Sequence, residues 1–172
     1  LKIIASEDAL TGLYNRRFFD EKILSEITMC AEHDAPISIL IVDVDYFKKY
    51  NDNYGHPEGD RCLAMLGNSL RESLTRDNQI VARYGGEEFA LILPDTDIQD
   101  ALRLAQTIIR NVFSLQIAHA FSPFGRVTVS VGISTARAVD IAGSQQNIII
   151  AADQALYQAK RAGRNRYAFV GV

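Results

Sequence analysis

Four carboxylates sit where chemistry could be done: Asp43 and Asp45 close a run of branched apolar residues, and Glu87 and Glu88 follow the paired glycines Gly85 and Gly86. Strand residues two apart share a face, so Ile37, Ile39 and Ile41 lead along one face to Asp43 and Asp45. Such a strand end either marks an exit to solvent, with the acids capping the next turn, or holds a cation; the strand alone does not choose. Glu87 and Glu88 fall at the bend of a hairpin, and on spacing alone a solvated turn is the simpler account. If that hairpin lies antiparallel to the first strand, however, its tip reaches the strand's carboxyl end and Glu87 meets Asp43. Carboxylates brought together repel unless a cation lies between them, and hard oxygen ligands suit Mg²⁺ or Mn²⁺. Mg²⁺ needs few protein ligands, because it keeps waters and takes phosphate oxygens.

Other polar residues surround these acids in sequence. Lys48 could neutralise phosphate charge, and Asn51 and Asp60 offer an amide and a carboxylate near a turn. Lys160, Arg161, Arg164 and Arg166 form a basic group at the end of a helical stretch. The helix dipole favours cations there, so the group is either structural or a phosphate clamp.

The elements that must position these residues are legible in outline. Asn15 can cap a helix whose apolar residues Phe18, Phe19, Ile23, Ile27 and Cys30 recur at helical spacing. Pro36 stops it, and an Ile/Val-rich strand follows over 37–44. A polar turn over 51–56 leads to Pro57, which suits a first helical position, and Leu63, Leu66, Leu70 and Leu74 mark one face of the next helix. Strands at 80–84 and 89–93 flank the glycine pair, which tolerates positive φ in a hairpin. A helix over 97–112, a strand over 127–135 and a helix over 147–162 ending at Gly163 follow, with a short edge strand at 166–170. The expected fold is α+β: a mixed, mainly antiparallel sheet flanked by helices. It lacks the alternation of a Rossmann domain, and no glycine-rich phosphate loop follows the first strand.

At 172 residues, 48% of them apolar and 23% charged, the chain fits one globular domain. Its net charge of −3 argues against a nucleic-acid binder, which would carry a basic stripe. Cys30 and Cys62 have the spacing of neither a zinc site nor a disulfide framework and read as buried thiols. No signal peptide is recognisable and no apolar run approaches the ~20 residues that cross a bilayer. The domain therefore reads as cytoplasmic, a reading that leaves a longer protein free to carry a membrane anchor. The opening residues 1–7 read as the end of a linker helix from an upstream region, with the catalytic domain over 8–172.

Six segments then resemble, in order, the successive motifs of the GGDEF-domain diguanylate cyclases: DALTGLYNRR at 8–17, DVDYFKKYND at 43–52, YGHPEGD at 54–60, RYGGEEF at 83–89, VTVSVG at 127–132 and ALYQAKRAGRN at 155–165. The resemblance covers residues 8–168 and implies a nucleotide-cyclase, palm-like fold with a ferredoxin-like core. It also implies condensation of two GTP into cyclic di-GMP and two pyrophosphates at a homodimer interface. By resemblance Asp43, the Val44 carbonyl and Glu87 hold divalent metal, with Glu88 beside them, and Glu87 accepts the proton of the attacking 3′-hydroxyl. Lys48 with nearby backbone amides, including that of Phe47, would stabilise phosphate charge, and Lys160 and Arg164 would hold the terminal phosphates. Asn51 and Asp60 match guanine-binding positions; guanine offers N–H donors that Asp60 accepts, whereas adenine would face it with a lone pair. His56 belongs either to this pocket or to the ordering of the turn.

One departure concerns an inhibitory product site of the Arg-x-x-Asp form, where this chain has Arg76 followed by Gln79, with Thr107 in place of a helper arginine. Weak product inhibition is expected. The resemblance also allows a catalytically silent module that senses GTP or cyclic di-GMP, or a domain coupled to an upstream sensor and a downstream phosphodiesterase. Another cyclase or polymerase palm is disfavoured by the Asn51 and Asp60 pair.

Overall fold

The PISILIVDV segment is apolar on both faces, and in the computed structural model, which describes residues 6–171, it forms the central strand β1 (Pro36–Val44). β1 lies antiparallel to β3 (Glu88–Pro94) on one side and to β4 (Val129–Arg137) on the other. β2 (Ile80–Arg83) pairs antiparallel with β3, and β5 (Tyr167–Gly171) pairs parallel with β4. Among the described residues the sheet thus runs β2-β3-β1-β4-β5. This is the α+β, palm-like arrangement expected, with one parallel pair at the edge.

Alternate residues of β1 feed two cores. Leu40, Val42 and Val44 pack with Leu63, Leu66 and Leu70 of α3 (His56–Ser73) and with Leu104 and Ile108 of α4 (Ile98–Ser114). Ile37, Ile39 and Ile41 pack with Phe19, Ile23 and Ile27 of α1 (Arg16–Glu32) and with Ile148, Ala152 and Leu156 of α6 (Gln145–Arg161). Each such Val, Leu, Ile or Phe side chain, fully buried, contributes about 1.5–3 kcal/mol, which fixes the register, since a one-residue slip would exchange the two faces. The Asn15 side chain caps α1 by accepting from the Phe18 amide at 2.9 Å.

Three expectations are corrected. The polar stretch expected as a turn over 51–56 lies mostly in a helix, α2 (Phe47–Tyr54), which ends at Gly55 (φ 89°) before α3 begins. Its apolar residues Phe47 and Tyr50 are too few to announce a helix, yet both are buried against the core. The strand expected over 127–135 is displaced to 129–137, and the short helix α5 (Ala138–Ile141) follows it. α1 stops at Glu32, ahead of Asp34 (φ 51°), so Pro36 begins β1 and does not itself end the helix. The linker helix expected over 1–7 falls largely outside the described residues. Both cysteines are buried and outside any disulfide among the described residues, and burial pushes the Cys62 thiol up to about 12. No described helix is long and apolar enough to cross a membrane.

Candidate active site

Antiparallel pairing brings the hairpin tip to the end of β1. Asp43 stands opposite Glu88 in register, and the Val44 amide donates to the Glu87 carbonyl at 3.3 Å. Asp43 is only 5% exposed. Lys160 Nζ donates to its Oδ2, while its Oδ1 is buried without a hydrogen-bond partner among the described residues. Glu87 is half-buried, and its carboxyl is pushed from the ordinary 4.5 up to about 7. Burial is the main cause, the approach of Asp43 adds to it, and the Lys160 charge opposes it. Glu88 is raised as well, first by burial, then by Asp43 and Asp153.

Three acids therefore share one lysine. Among the described residues no group of three or more His, Cys, Asp or Glu side chains is arranged to hold a metal ion. The orphaned Asp43 Oδ1 and the raised Glu87 carboxyl nevertheless fit a hard cation that draws its remaining ligands from a nucleotide.

The tip is held from a distance. Arg83 donates through one guanidinium nitrogen to Asp8 Oδ1 at 3.2 Å and through another to the Gly86 carbonyl at 2.9 Å. Asp8 in turn accepts from the Thr11 amide at 2.9 Å and the Thr11 hydroxyl at 2.8 Å. Burial pushes the Asp8 carboxyl up, but the Thr11 hydrogen bonds and the Arg83 charge outweigh it and hold the group below its ordinary value. Only the fold relates Asp8 to Arg83, so nothing in the sequence signalled this brace.

β1 turns into α2 through Tyr46, which adopts a left-handed φ of 55°. The first amides of α2 have no side-chain cap among the described residues, which leaves them free to meet an anion. The Phe47 ring is buried in the core, so this residue can offer the pocket only its backbone. Lys48 is 88% exposed and pairs with Asp52 at 3.0 Å across one helical turn. Asn51 Oδ1 is buried without a partner among the described residues, and a Cβ at Gly59 would overlap the Asn51 amide. His56 and Asp60 lie exposed on the first turns of α3. The structure thus gathers Asn51, His56 and Asp60 at the α2–α3 junction.

The end of α6 completes the site. Gly132 of β4 has the α6 backbone at Ala152 and Leu156 where its Cβ would stand, so α6 lies directly on the sheet and carries Lys160 to Asp43. Beyond α6, Gly163, Arg164 and Asn165 all have positive φ (129°, 64° and 51°), and the Arg164 guanidinium lies over the Tyr46 ring at 4.8 Å. Arg161 is turned outward over Tyr157, and the Arg166 side chain donates to the Arg164 carbonyl. Asp45 does not join Asp43. It bonds instead to Thr128, Ser130 and the Asn165 amide, and burial above all pushes its carboxyl up.

Away from the acids, Arg76, Gln79 and Thr107 line a cavity of about 230 Å³ together with Asp100 and Arg103. Gln79 Oε1 already accepts from the amides of Thr75 (2.8 Å) and Arg76 (3.2 Å). Arg103 was not singled out from the sequence, where a lone arginine on a helix carries no signal.

The profile of the family described as "Diguanylate cyclase, GGDEF domain" matches residues 5–166. Among curated relatives, the response regulator PleD of Caulobacter vibrioides is 39% identical over 94% of this chain and 35% of its own length. Diguanylate cyclase VdcA of Vibrio cholerae is 38% identical over 92% of this chain and 45% of its own. This chain therefore spans less than half of each. Among solved structures, the GGDEF domain of DgcB from Caulobacter crescentus, in complex with c-di-GMP, superposes with a TM-score of 0.86 at 32% identity, covering 96% of this chain and 93% of that one. The active GGEEF domain of a diguanylate cyclase from Vibrio cholerae gives 0.78 at 31% identity, covering 91% and 97%. Matched over 5–166 by that profile, the chain belongs to the diguanylate cyclase GGDEF-domain family.

Proposed function

We propose that this domain condenses two GTP molecules into cyclic di-GMP, each 3′-hydroxyl attacking the α-phosphate of the other nucleotide with loss of pyrophosphate. One GTP lies on each subunit of a homodimer. The observation that carries this reading is the convergence of Asp43 and Glu87 beside Lys160 and the uncapped start of α2.

Each residue then has a task. Asp43, the Val44 carbonyl and Glu87 hold Mg²⁺ or Mn²⁺, with Glu88 adjoining. When bound, the cation supplies Lewis acidity at the phosphate and lowers the hydroxyl's pKa. Glu87 stands where it can take the 3′-hydroxyl proton, its raised carboxyl being lowered by the bound cation so that it is ionised and able to accept. The amides from Phe47 onward and Lys48 receive phosphate charge, for which Lys48 must leave Asp52. Lys160 and Arg164 hold the terminal phosphates. Asn51 and Asp60 accept guanine N–H groups, for which the buried Asn51 Oδ1 must turn away from Gly59. His56 borders the same pocket.

The test is incubation of the dimeric domain with GTP and Mg²⁺, with cyclic di-GMP read by chromatography. Wild type forms product, and Glu87→Gln lowers the rate by roughly 10²-fold or more. No product from wild type would favour a sensing module, and undiminished product from the variant would remove Glu87 from its role.

Product inhibition is weak on this reading, because Gln79 brings no charge and its acceptor is committed within its own loop. Calorimetry should give a cyclic di-GMP dissociation constant well above ~1 μM.

A further inference from the structure

Asp45 is one of the two acids that the strand pattern singles out, yet no role in binding metal or nucleotide falls to it. It is 2% exposed, and its two oxygens accept three hydrogen bonds: Ser130 Oγ to Oδ1 at 2.7 Å, and Thr128 Oγ1 (2.7 Å) and the Asn165 amide (3.0 Å) to Oδ2. Its backbone amide donates to the Thr128 carbonyl at 2.9 Å. The carboxylate therefore ties the end of β1 and the start of β4 to the turn that follows α6.

That turn is one the chain adopts reluctantly. Arg164 and Asn165 are L-residues held at φ 64° and 51°, a region that costs non-glycine residues energy unless the surroundings impose it. The Asp45 bond falls on the second of them. The residue before it, Arg164, lies over the ring of Tyr46, itself left-handed. The Tyr46 carbonyl accepts from Nε2 of the buried His119 at 3.0 Å. Without the carboxylate the turn loses the acceptor that holds the Asn165 amide, and what remains, the Arg164 amide on the Ala159 carbonyl and the Val131 amide on the Arg166 carbonyl, holds only its two sides.

We infer that Asp45 is a positioning residue for the triphosphate: it fixes the left-handed turn that aims Arg164 at the terminal phosphates. The inference rests on the nucleotide-binding reading above and adds a part to it. Because Asp45 meets no substrate atom, its influence passes through Arg164. Loss of Asp45 should therefore weaken binding of the phosphate end of the nucleotide and leave the guanine end, held at the α2–α3 junction, unchanged.

The test compares Kd for a non-hydrolysable GTP analogue and for GMP, each with Mg²⁺, in wild type, Asp45→Ala, Asp45→Asn and Arg164→Ala. Asp45→Ala is expected to weaken the analogue roughly tenfold while GMP affinity stays within about twofold, and Asp45→Asn, which keeps an acceptor for Asn165, to recover most of the loss. In the double variant the effects should not add: Asp45→Ala with Arg164→Ala binds within about twofold of Arg164→Ala alone. Equal losses for analogue and GMP, or additive effects in the double variant, would overturn the proposal by showing only general damage. If Asp45→Ala does not fold, Asp45→Ser, whose shorter side chain does not reach the Asn165 amide, serves instead, and unchanged analogue binding in that folded variant overturns it. A wild type that binds no GTP analogue defeats the nucleotide reading itself. A wild type that binds it, with Asp45→Ala unchanged, defeats only the role given to Asp45.

Discussion

A carboxyl whose midpoint is raised from 4.5 to about 7 keeps its proton in the folded chain where the unfolded chain has lost it, and Glu87 is such a group. Between those values the folded state binds more protons, so stability falls as pH rises. Its contribution is complete below the unfolded value and is lost as pH climbs through about 7. Denaturant midpoints of the domain in chelator should therefore decline from about pH 5 to about pH 8, and Glu87→Gln should flatten that decline. At the same scale, the lysine on Asp43 Oδ2 sets a positive charge beside the Oδ1 offered to a cation. Lys160→Met should tighten Mn²⁺ binding to the nucleotide-free domain by roughly tenfold, as read by electron paramagnetic resonance, while weakening GTP-analogue binding. Unchanged Mn²⁺ affinity would mean that the Lys160–Asp43 contact imposes no cost on the metal.

The elements matter here for how closely they approach. α6 rests on Gly132 with no room for a methyl group, since backbone atoms of Ala152 and Leu156 fill the place. Gly132→Ala should cost about 1–3 kcal/mol in urea unfolding and reduce cyclase activity, because a displaced α6 withdraws Lys160 from Asp43. The hairpin tip depends in the same way on Arg83, stretched between Asp8 and the Gly86 carbonyl. Asp8→Ala should lower kcat without a matching rise in KM for GTP, because it loosens the tip that bears Glu87 and leaves the guanine pocket alone. A rise in KM alone would place the brace elsewhere. The α2 helix marks the limit of pattern reading: residues 47–54 are mostly polar, and what makes them helical is the burial of Phe47 and Tyr50 by elements distant in sequence.

For the whole molecule, the proposed site, with one GTP on each protomer, must be completed by a second copy. Specific activity should therefore rise with protein concentration and level off as the dimer forms, which paired rate and sedimentation measurements would test. Activity independent of concentration in a monomer would refute the shared site. The end of β1, the hairpin tip and the end of α6 all emerge at one end of the sheet, which gathers a single protomer's share of the proposed site there.

The sequence by itself determined the apolar faces, the hairpin at Gly85 and Gly86 and the family, because these rest on local periodicity and on short motifs with fixed spacing, whereas the pairing of that hairpin with β1 was left open. Ile37, Ile39 and Ile41 could be assigned to one face from alternation alone, and they lie on one face. The identities of Asp43, Glu87 and Lys160 as candidates were equally plain. Only the tertiary structure decided which acids keep company. Asp43 and Asp45 are two residues apart and look alike in a string, yet one faces Glu87 and Lys160 while the other is enclosed by Thr128, Ser130 and Asn165. Their partners lie between 44 and 120 positions away along the chain, and the energy of a buried carboxylate is set by those partners and not by its neighbours in sequence.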